Sequence, residues 1–585
     1  MAANFLHGVE TVVVNSGPVP VRVVKSGVIA IVGTAPSDNT NELILVNSPV
    51  DAAQFGSAKI PGFTIPKSLE AIFAQGAGSV LVVNVADPAE HFGNISPETQ
   101  SVTAGSNKVK LDEFPIIVNA LKNQATEELT EGTHYSVNDI GEVVLTNRAL
   151  VGVTEVKASA TVTITGGTSS AGVNKVTQIS VNGVNLLSGA VDWVTSHAAT
   201  ATAVAANANA HTSSPEYTVA AVGANIVITA LAGTGSTPNG FDVVVTVGGD
   251  VTTSGNTELT GGVTAETATT AITVDYDYFD ASSVTAAEVI GEVSGGDRTG
   301  LELFDLAYNT FGFTPKLFVA PEFSQLTAVQ SALLVKAAKY RAKAFIDGQE
   351  GWTPAQAIAD RGPAGGVFNT SSANAVLCYP KVKRYDAYTD ADELFPSSVY
   401  WAGATAATDI QLGYWNSPSN KNIKGITGVE RLVTFAVNDA TSEANQLNEV
   451  GICTIVNAFG TGFRTWGNRS ADYPASTAII TFIPVDRTAN IIDESLELAT
   501  LQFIDRPLNQ PTIDSIRDTG NAFIRTLVSR GALIDGLVTY DPAKNPSVQL
   551  AAGQILFDVT YLPPGVTERI TYERFIDINF FNNLA

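Results

Sequence analysis

The stretch IPKSLEAIFAQGAGSVLVVNVAD, residues 65–87, decides the fold class. Its first part reads as a helix: Pro66 sits early, Leu69, Ile72 and Phe73 share a face, and Gly76 ends it. Its second part, SVLVVNVAD (79–87), is a short unbroken apolar run, the pattern of a strand buried on both faces. Upstream, SGVIAIVGTAP (26–36) is another such run, closed by Gly and Pro. Strand, helix and strand in that order predict the opening of a parallel α/β sheet.

The same texture returns after residue 300. KLFVAP (316–321), AKAFID (342–347) and NAVLCYP (374–380) read as strands. Between them lie a helix from about Ser324, with Leu326, Val329, Leu333, Ala337 and Tyr340 in register, and a short one at 352–362. GVERLVTFA (428–436), GICTIVNAF (451–459) and AIITFIPV (478–485) are read as three more strands. Helices are expected at 486–503 and 512–531, the second capped by Thr512 and stopped by Gly531. The chain then finishes in strands at 536–541, 554–562 and 567–581. Repeated β–α–β units predict a mainly parallel sheet flanked by helices, with right-handed crossovers.

From about residue 95 the texture changes. Residues 157–271 carry 8 charged side chains in 115, and Thr, Ala, Val, Gly, Ser and Asn dominate. Alternating runs such as ATVTITGG (160–167) and NIVITALAG (225–233) predict antiparallel strands, while SHAATATAVAANANAHT (196–212) predicts a helix. THYSVNDIGEVVLT (133–146) and AITVDYDYF (271–279) read as two pieces of one insertion, with 150–268 nested between them. The expected organisation is therefore an α/β core discontinuous in sequence: an N-terminal arm (1–25), a first core part (26–94), a β-rich outer insertion (95–299) holding a surface module (150–268), the main core (300–562) and a C-terminal arm (563–585).

Composition narrows the function. The 585 residues carry a net charge of −24, with 45% hydrophobic and 15% charged side chains. That is too apolar for a disordered chain and of the wrong sign for a nucleic-acid binder. The first ten residues, MAANFLHGVE, show no secretory pattern, and no apolar run approaches a membrane span, so a soluble protein made in a cytoplasm is expected. The five histidines end at His211, which leaves the last 374 residues without an imidazole. A Ser/His/Asp or Cys/His nucleophile and a histidine metal site are thereby excluded there.

Single motifs give little. AFGTGFRTWG (458–467) has Gly460 and Gly462 but Thr465 at the third glycine position and no following helix, so a dinucleotide loop is not expected. No GxxxxGK[ST] occurs. Asp275 and Asp277 share a strand face, read as solvated carboxylates with calcium as the weaker reading. Cys378 and Cys453 lie in apolar strands and are expected as buried thiols rather than redox or nucleophilic groups. A carboxylate pair for glycoside hydrolysis stays open, although the five tryptophans do not cluster. No catalytic residue, metal or cofactor is assigned.

The arrangement of motifs is more specific than any one of them. FLHGVE (5–10), VIAIVGTAP (28–36), EGTHYSVN (131–138), VDYDYFDASSVTAAEVIG (274–291), RTGLELF (298–304) and PKLFVAPEFS (315–324) follow one another. RAKAFID (341–347), GVFNTSSANAVLCYP (366–380), SVYWAGATAATD (398–409), GYWNSPSNKNIKGITG (413–428), LNEVGICTI (447–455), RTWGNRS (464–470) and PPGVTERITYE (563–573) continue the series. In this order the chain resembles the tail sheath proteins of contractile-tailed bacteriophages, of the type found in temperate myophages. The resemblance covers all but about 150–268, and Ser470 stands where the family more often has threonine. Trp466, Gly467, Asn468 and Arg469 belong to its motif.

The resemblance implies a mechanical subunit, not a catalyst. Subunits would stack as rings around an inner tail tube in an extended, metastable state. Triggered at the baseplate, they would re-pack into a shorter, wider helix and drive the tube through the host envelope. The partners implied are further copies of the chain, the tube protein, and baseplate and tail terminator proteins, without nucleic acid or membrane insertion. The place implied is the virion tail sheath, assembled in the host bacterial cytoplasm.

Three site expectations follow. The N-terminal strand (Val9, Thr11, Val12, Val13, Val14) and the C-terminal strand (Arg569, Ile570, Thr571, Tyr572, Glu573) cannot pair locally, being cut off by Pro18, Pro20, Pro563 and Pro564, and are expected to complete a sheet in neighbouring subunits. Arg517, Asn521 and Arg525 lie at i, i+4 and i+8 on helix 512–531, opposite an apolar stripe of Ile513, Ile516, Phe523, Ile524 and Leu527. That face reads either as a solvated one with pairs such as Asp514–Arg517 or, as the resemblance implies, as the face that meets the tube. Two other classes stay open at this point: a non-contractile tail fibre or surface-layer protein, and a carboxylate-based hydrolase.

Overall fold

The computed structural model describes residues 21, 23–87, 90–458 and 460–584. The chain divides into two compact units, Met1–Phe92 with Phe279–Ala585, and Gly93–Tyr278.

The first unit is built on a sheet of β1 (Val28–Gly33), β2 (Leu43–Val46), β3 (Ser79–Asn84), β4 (Leu317–Val319), β5 (Lys343–Asp347), β6 (Ala375–Cys378), β7 (Ile452–Asn457) and β8 (Phe463–Trp466), in the order β2-β3-β1-β4-β5-β6-β7-β8. The six inner strands run parallel, and β2 and β8 close the edges antiparallel. The seam between β1 and β4, where Ile29 pairs with Leu317, joins parts of the chain almost 300 residues apart. Every residue of β1 is buried, as an inner strand covered on both faces requires.

Alternate side chains feed two cores. Val28, Ala30 and Val32 join Phe318, Ile346 and Leu377 on one face; Ile29 and Ile31 join Val319, Phe345 and Val376 on the other. Its main helices are α1 (Ile65–Gln75), α2 (Thr327–Lys339), α3 (Pro354–Asp360), α4 (Ser397–Gln411), α5 (Ile483–Thr500) and α6 (Gln510–Ser529). Val329, Leu333 and Ala337 of α2 pack on the first face; Leu69 and Ile72 of α1 with Val399 and Trp401 of α4 cover the second. Cys378 and Cys453 sit opposite each other on β6 and β7, buried and free, and burial pushes the Cys453 thiol up to about 12. Such thiols stay protonated and behave as small apolar groups. At the end of β5, Asp347 accepts from Ser324 Oγ and Ser398 N, both at 2.8 Å; burial still raises its carboxyl to about 6.

Sequence reading missed the polar tie after α3. Arg361 donates to the carbonyls of Val450 (2.9 Å), Phe368 (2.8 Å), Ala471 (2.7 Å), Tyr473 (2.9 Å) and Thr370. One guanidinium fork thus gathers three loops without a carboxylate.

Four sequence expectations need correction. The run 478–485 is not a strand: Ile479–Thr481 is a short 3-10 turn and α5 starts at Ile483, with Pro484 in its first turn. A short apolar run cannot tell a strand from a buried helix start. In 428–436 a strand survives at Gly428–Val429 alone, and Thr434 instead exchanges hydrogen bonds with Glu443 at the head of helix Glu443–Glu449. The segment 567–581 forms no strand; it is exposed coil ending in the 3-10 turn Ile578–Leu584. The boundary at 299 lies too late, because Val284 and Val289 pack into the core of the first unit. Gly460 and Gly462, where no dinucleotide loop was expected, form the turn between β7 and β8 at φ +65° and +92°.

The second unit holds a sheet of Phe92–Ser101, Ala271–Phe279 and Pro115–Asn123. Leu121, Tyr135, Val143, Leu145, Ile272 and Tyr276 share its core. A separate core lies between these pieces in sequence, with Val162, Ile164, Ile179, Ile226, Ile228 and Val243 from antiparallel strands closing on Val204 of helix His197–Ala210. Ser196 caps that helix through the Ala199 N–H. Asp275 and Asp277 both accept from Asn94 Nδ2, at 3.1 and 2.7 Å. Among the described residues no cluster of His, Cys, Asp or Glu is arranged to hold a metal, and no helix is long and apolar enough to cross a membrane.

Candidate functional site

Helices α5 and α6 and the C-terminal segment lie together at the end of the first unit. Helix α5 lines its acids along the base of the sheet. Asp486 pairs with the fully buried Lys343 at 2.6 Å, Glu494 with Lys316, and Glu497 with Arg341 at 2.6 Å. Beside them Arg487 meets Asp409 of α4 in a two-pronged pair at 2.5 and 2.8 Å, and also donates to the Ser26 carbonyl at 3.1 Å. Burial raises the Asp493 carboxyl, which accepts from Tyr561 at 3.2 Å; burial and that carboxylate together raise the Tyr561 phenol.

Helix α6 is amphipathic as expected, with Ile513, Phe523, Ile524 and Leu527 buried. Its cap is Asn509, which accepts from Thr512 N at 3.0 Å, so the expected cap Thr512 stands inside the first turn. Phe523, Ile524 and Leu527 pack with Ile492, Leu533 and Val538. Val538 belongs to a two-stranded antiparallel ribbon of β9 (Asp535–Thr539) and β10 (Asp558–Leu562). Helix and ribbon approach closely at Gly520, where a Cβ would stand 2.9 Å from Val538 Cγ2.

The three residues expected on the tube-facing side separate. Arg517 pairs with Asp514 at 3.0 Å and Asp518 at 3.1 Å, and Arg525 is exposed. Asn521 faces the ribbon: its Nδ2 donates to Val538 O at 2.8 Å and its Oδ1 accepts from Val538 N at 2.9 Å. Asn521 is thus a structural tie, because helical spacing names a face but not the neighbour that covers its border.

That tie has a consequence for pairing. With both Val538 backbone groups bonded to Asn521, the outer edge of β9 is closed there. By the alternation of an antiparallel ladder, Val559 and Tyr561 of β10 turn their N–H and C=O groups to the opposite edge. Among the described residues that edge carries no strand. Val21 and Val23, at the end of the N-terminal segment, pack against the same cluster. The arm residues Val9, Thr11, Val12, Val13 and Val14 lie outside the described residues. Arg569, Ile570, Thr571, Tyr572 and Glu573 are exposed, without a strand partner.

The motif Trp466–Arg469 links β8 to α5. Trp466 stacks edge-on against Phe435, and the Asn468 carbonyl accepts from Ile483 N at 2.8 Å. Arg469 lies over the Phe482 ring, 3.6 Å from its centroid, and holds Glu568 in a bidentate pair at 2.7 and 3.0 Å.

Residues 296–471 match the family model described as the phage tail sheath protein central domain. The chain is 36% identical over 577 residues to the tail sheath protein of Burkholderia phage BcepMu, covering 98% of this chain and 97% of that one. It is 26% identical over 302 residues to the tail sheath protein of Escherichia phage P2, covering 52% and 73%. Among solved structures it matches the helical sheath of the anti-feeding prophage in its contracted state, with TM-score 0.39, 22% identity, and 51% and 84% coverage. The chain belongs to the phage tail sheath family, and its similarity to the BcepMu protein runs over nearly its full length.

Proposed function

We propose that this chain polymerises as stacked rings around an inner tail tube and contracts to drive that tube through the host envelope. In this reading it is a load-bearing part of the virion with no catalytic role. Its partners are its own copies, the tube, and the baseplate and terminator ends of the tail. Two observations carry it: an open strand edge on the body and an exposed terminal segment. Ribbon β9–β10 has its open side at β10, and two strands alone are marginal in water. Residues 569–584 leave the body as exposed chain with a β-rich sequence. Arms that complete this edge in a neighbour link each subunit to the next through extended and contracted states alike.

The test is negative-stain microscopy of the purified chain. Stubby hollow tubes are expected. Rods or sheets would favour a fibre or surface-layer protein, and dispersed globular particles would end the proposal. The module at 150–268, with a core of its own, is proposed to project from the outer surface. The same grids check this: with a short Gly/Ser linker in its place, tubes are still expected, and loss of folding would assign it to the core.

Tube contact is assigned to the side of α6 that carries Arg517 and Arg525. A sheath must grip the tube and release it, which suits few polar contacts rather than a large apolar patch. Exposed pairs contribute about 1 kcal/mol or less each and weaken with salt. The double reversal Arg517→Glu with Arg525→Glu is expected to spare the fold and permit empty polymers, while tube-filled sheaths disappear. Tube-filled particles at wild-type yield would refute the assignment.

A further inference from the structure

The arm reading leaves open how the arm leaves the body at a fixed place, and the family motif has no role in it so far. Both meet at Arg469. Its guanidinium lies against two rings, with Cζ 3.6 Å from the Phe482 centroid and 4.7 Å from that of Tyr473. Thr481 Oγ1 accepts from Nη1 at 2.6 Å. Two further donors, Nε and Nη2, are aimed in parallel at the two oxygens of Glu568, at 3.0 and 2.7 Å. The side chain is 17% exposed. Its backbone is held as well: it bridges to Phe482, and its carbonyl accepts from Cys453 Sγ at 3.7 Å.

The partner lies at a particular point of the chain. Pro563 is buried and Gly565 comes within reach of Ile479, so 563–568 runs along the body. After Glu568 the side chains are exposed to the end of the described chain. Flexible attachment would let sixteen residues sweep up to about 50 Å at roughly 3.3 Å per residue, which is a poor way to find one strand edge.

We propose that Arg469, Phe482, Tyr473 and Thr481 form a carboxylate receptor for Glu568 that fixes the take-off point of the C-terminal arm. This rests on reading 569–584 as an exchange arm. The two ring contacts and the Thr481 hydrogen bond restrain the guanidinium independently of the carboxylate. A planar fork held in advance gives a bidentate pair direction as well as attraction. Arg469 is thus a positioning residue, acting on assembly through the segment it holds, and lysine could supply its charge but neither its fork nor its stacking.

The test compares full-length wild type with Glu568→Gln and Glu568→Lys, read first in the monomer and then in the polymer. Amide exchange at 565–568 is expected to speed up at least tenfold in Glu568→Lys and by less in Glu568→Gln, with the melting temperature of the body unchanged. Tube yield is expected to fall about tenfold in Glu568→Lys and partly in Glu568→Gln. Wild-type protection at 565–568 in Glu568→Lys would overturn the receptor. Faster exchange with a normal tube yield would overturn its role in take-off. Tubes from a chain ending at residue 568 would instead overturn the arm reading while leaving the exchange result intact, so the two failures can be told apart.

Discussion

A chain lacking residues 569–585 is expected to fold as the wild type does and to lose polymerisation. The removed segment gives the folded subunit nothing to lose. Ile570, Phe575, Ile576, Phe580 and Phe581 all lie open to water, and Tyr572 is 88% exposed. Surface positions without such contacts change stability by about 0.5 kcal/mol or less. For assembly the segment is costly to lose. Five ladder hydrogen bonds at roughly 0.5–1.5 kcal/mol each give a few kcal/mol per link. Each large apolar side chain that becomes buried adds about 1.5–3 kcal/mol before ordering costs. A link weakened by about 4 kcal/mol binds nearly a thousandfold less tightly. If every subunit uses the link, as proposed, the concentration needed for polymer should rise at least a hundredfold. Sedimentation across a concentration series measures that threshold, with a melting curve as control. A threshold within a few-fold of wild type would rule the arm out as the linking element.

This exposed apolar segment also explains why the sequence misleads at 567–581. Its alternation is that of a strand, yet strand pairing needs a second edge, and the single subunit lays none beside it. Elsewhere the legible parts are those whose signal is local. The helix and strands of 65–87, 317–347 and 375–378 follow from period and punctuation alone, and the buried burden of β1 follows from its unbroken apolar run. The apolar stripe of α6 was legible for the same reason. The illegible parts depend on partners far along the chain. Arg361 is one polar residue near a helix end until residues 450, 471 and 473 come to it. Arg469 could be named as part of a motif, but Glu568, which it holds, lies 99 residues away. Asn521 was placed on the right helix and given the wrong neighbour, because ribbon β9–β10 crosses just where spacing suggested solvent.

Breaking the Asp409–Arg487 pair is expected to cost the first unit more stability than any change on its surface. The two side chains are 2% and 4% exposed, and two hydrogen bonds join them in parallel. Asp409→Ala leaves a guanidinium buried without its counter-charge, a loss of about 3–5 kcal/mol. At roughly 2 °C per kcal/mol for a unit of this size, the melting temperature should drop by about 6–10 °C. Asp409→Asn keeps the volume and one acceptor, so its loss should be smaller. The decisive comparison is the double variant Asp409→Leu with Arg487→Met. Replacing both partners removes the stranded charge, and apolar replacements of buried pairs are often close to neutral. Most of the lost stability should therefore return in the double variant. If the double variant melts as low as Asp409→Ala, the cost lies in packing rather than in charge. The pair has a mechanical side too, because Arg487 also holds the Ser26 carbonyl at the root of the N-terminal arm. On the proposed reading of the N-terminal segment as an intersubunit arm, force entering through it would pass into α5 and α4 at this point. The double variant, stable but without the guanidinium at Ser26, is then expected to fold normally and to form sheaths that shear apart under milder treatment than wild-type ones. Equal resistance would confine Arg487 to holding the core together.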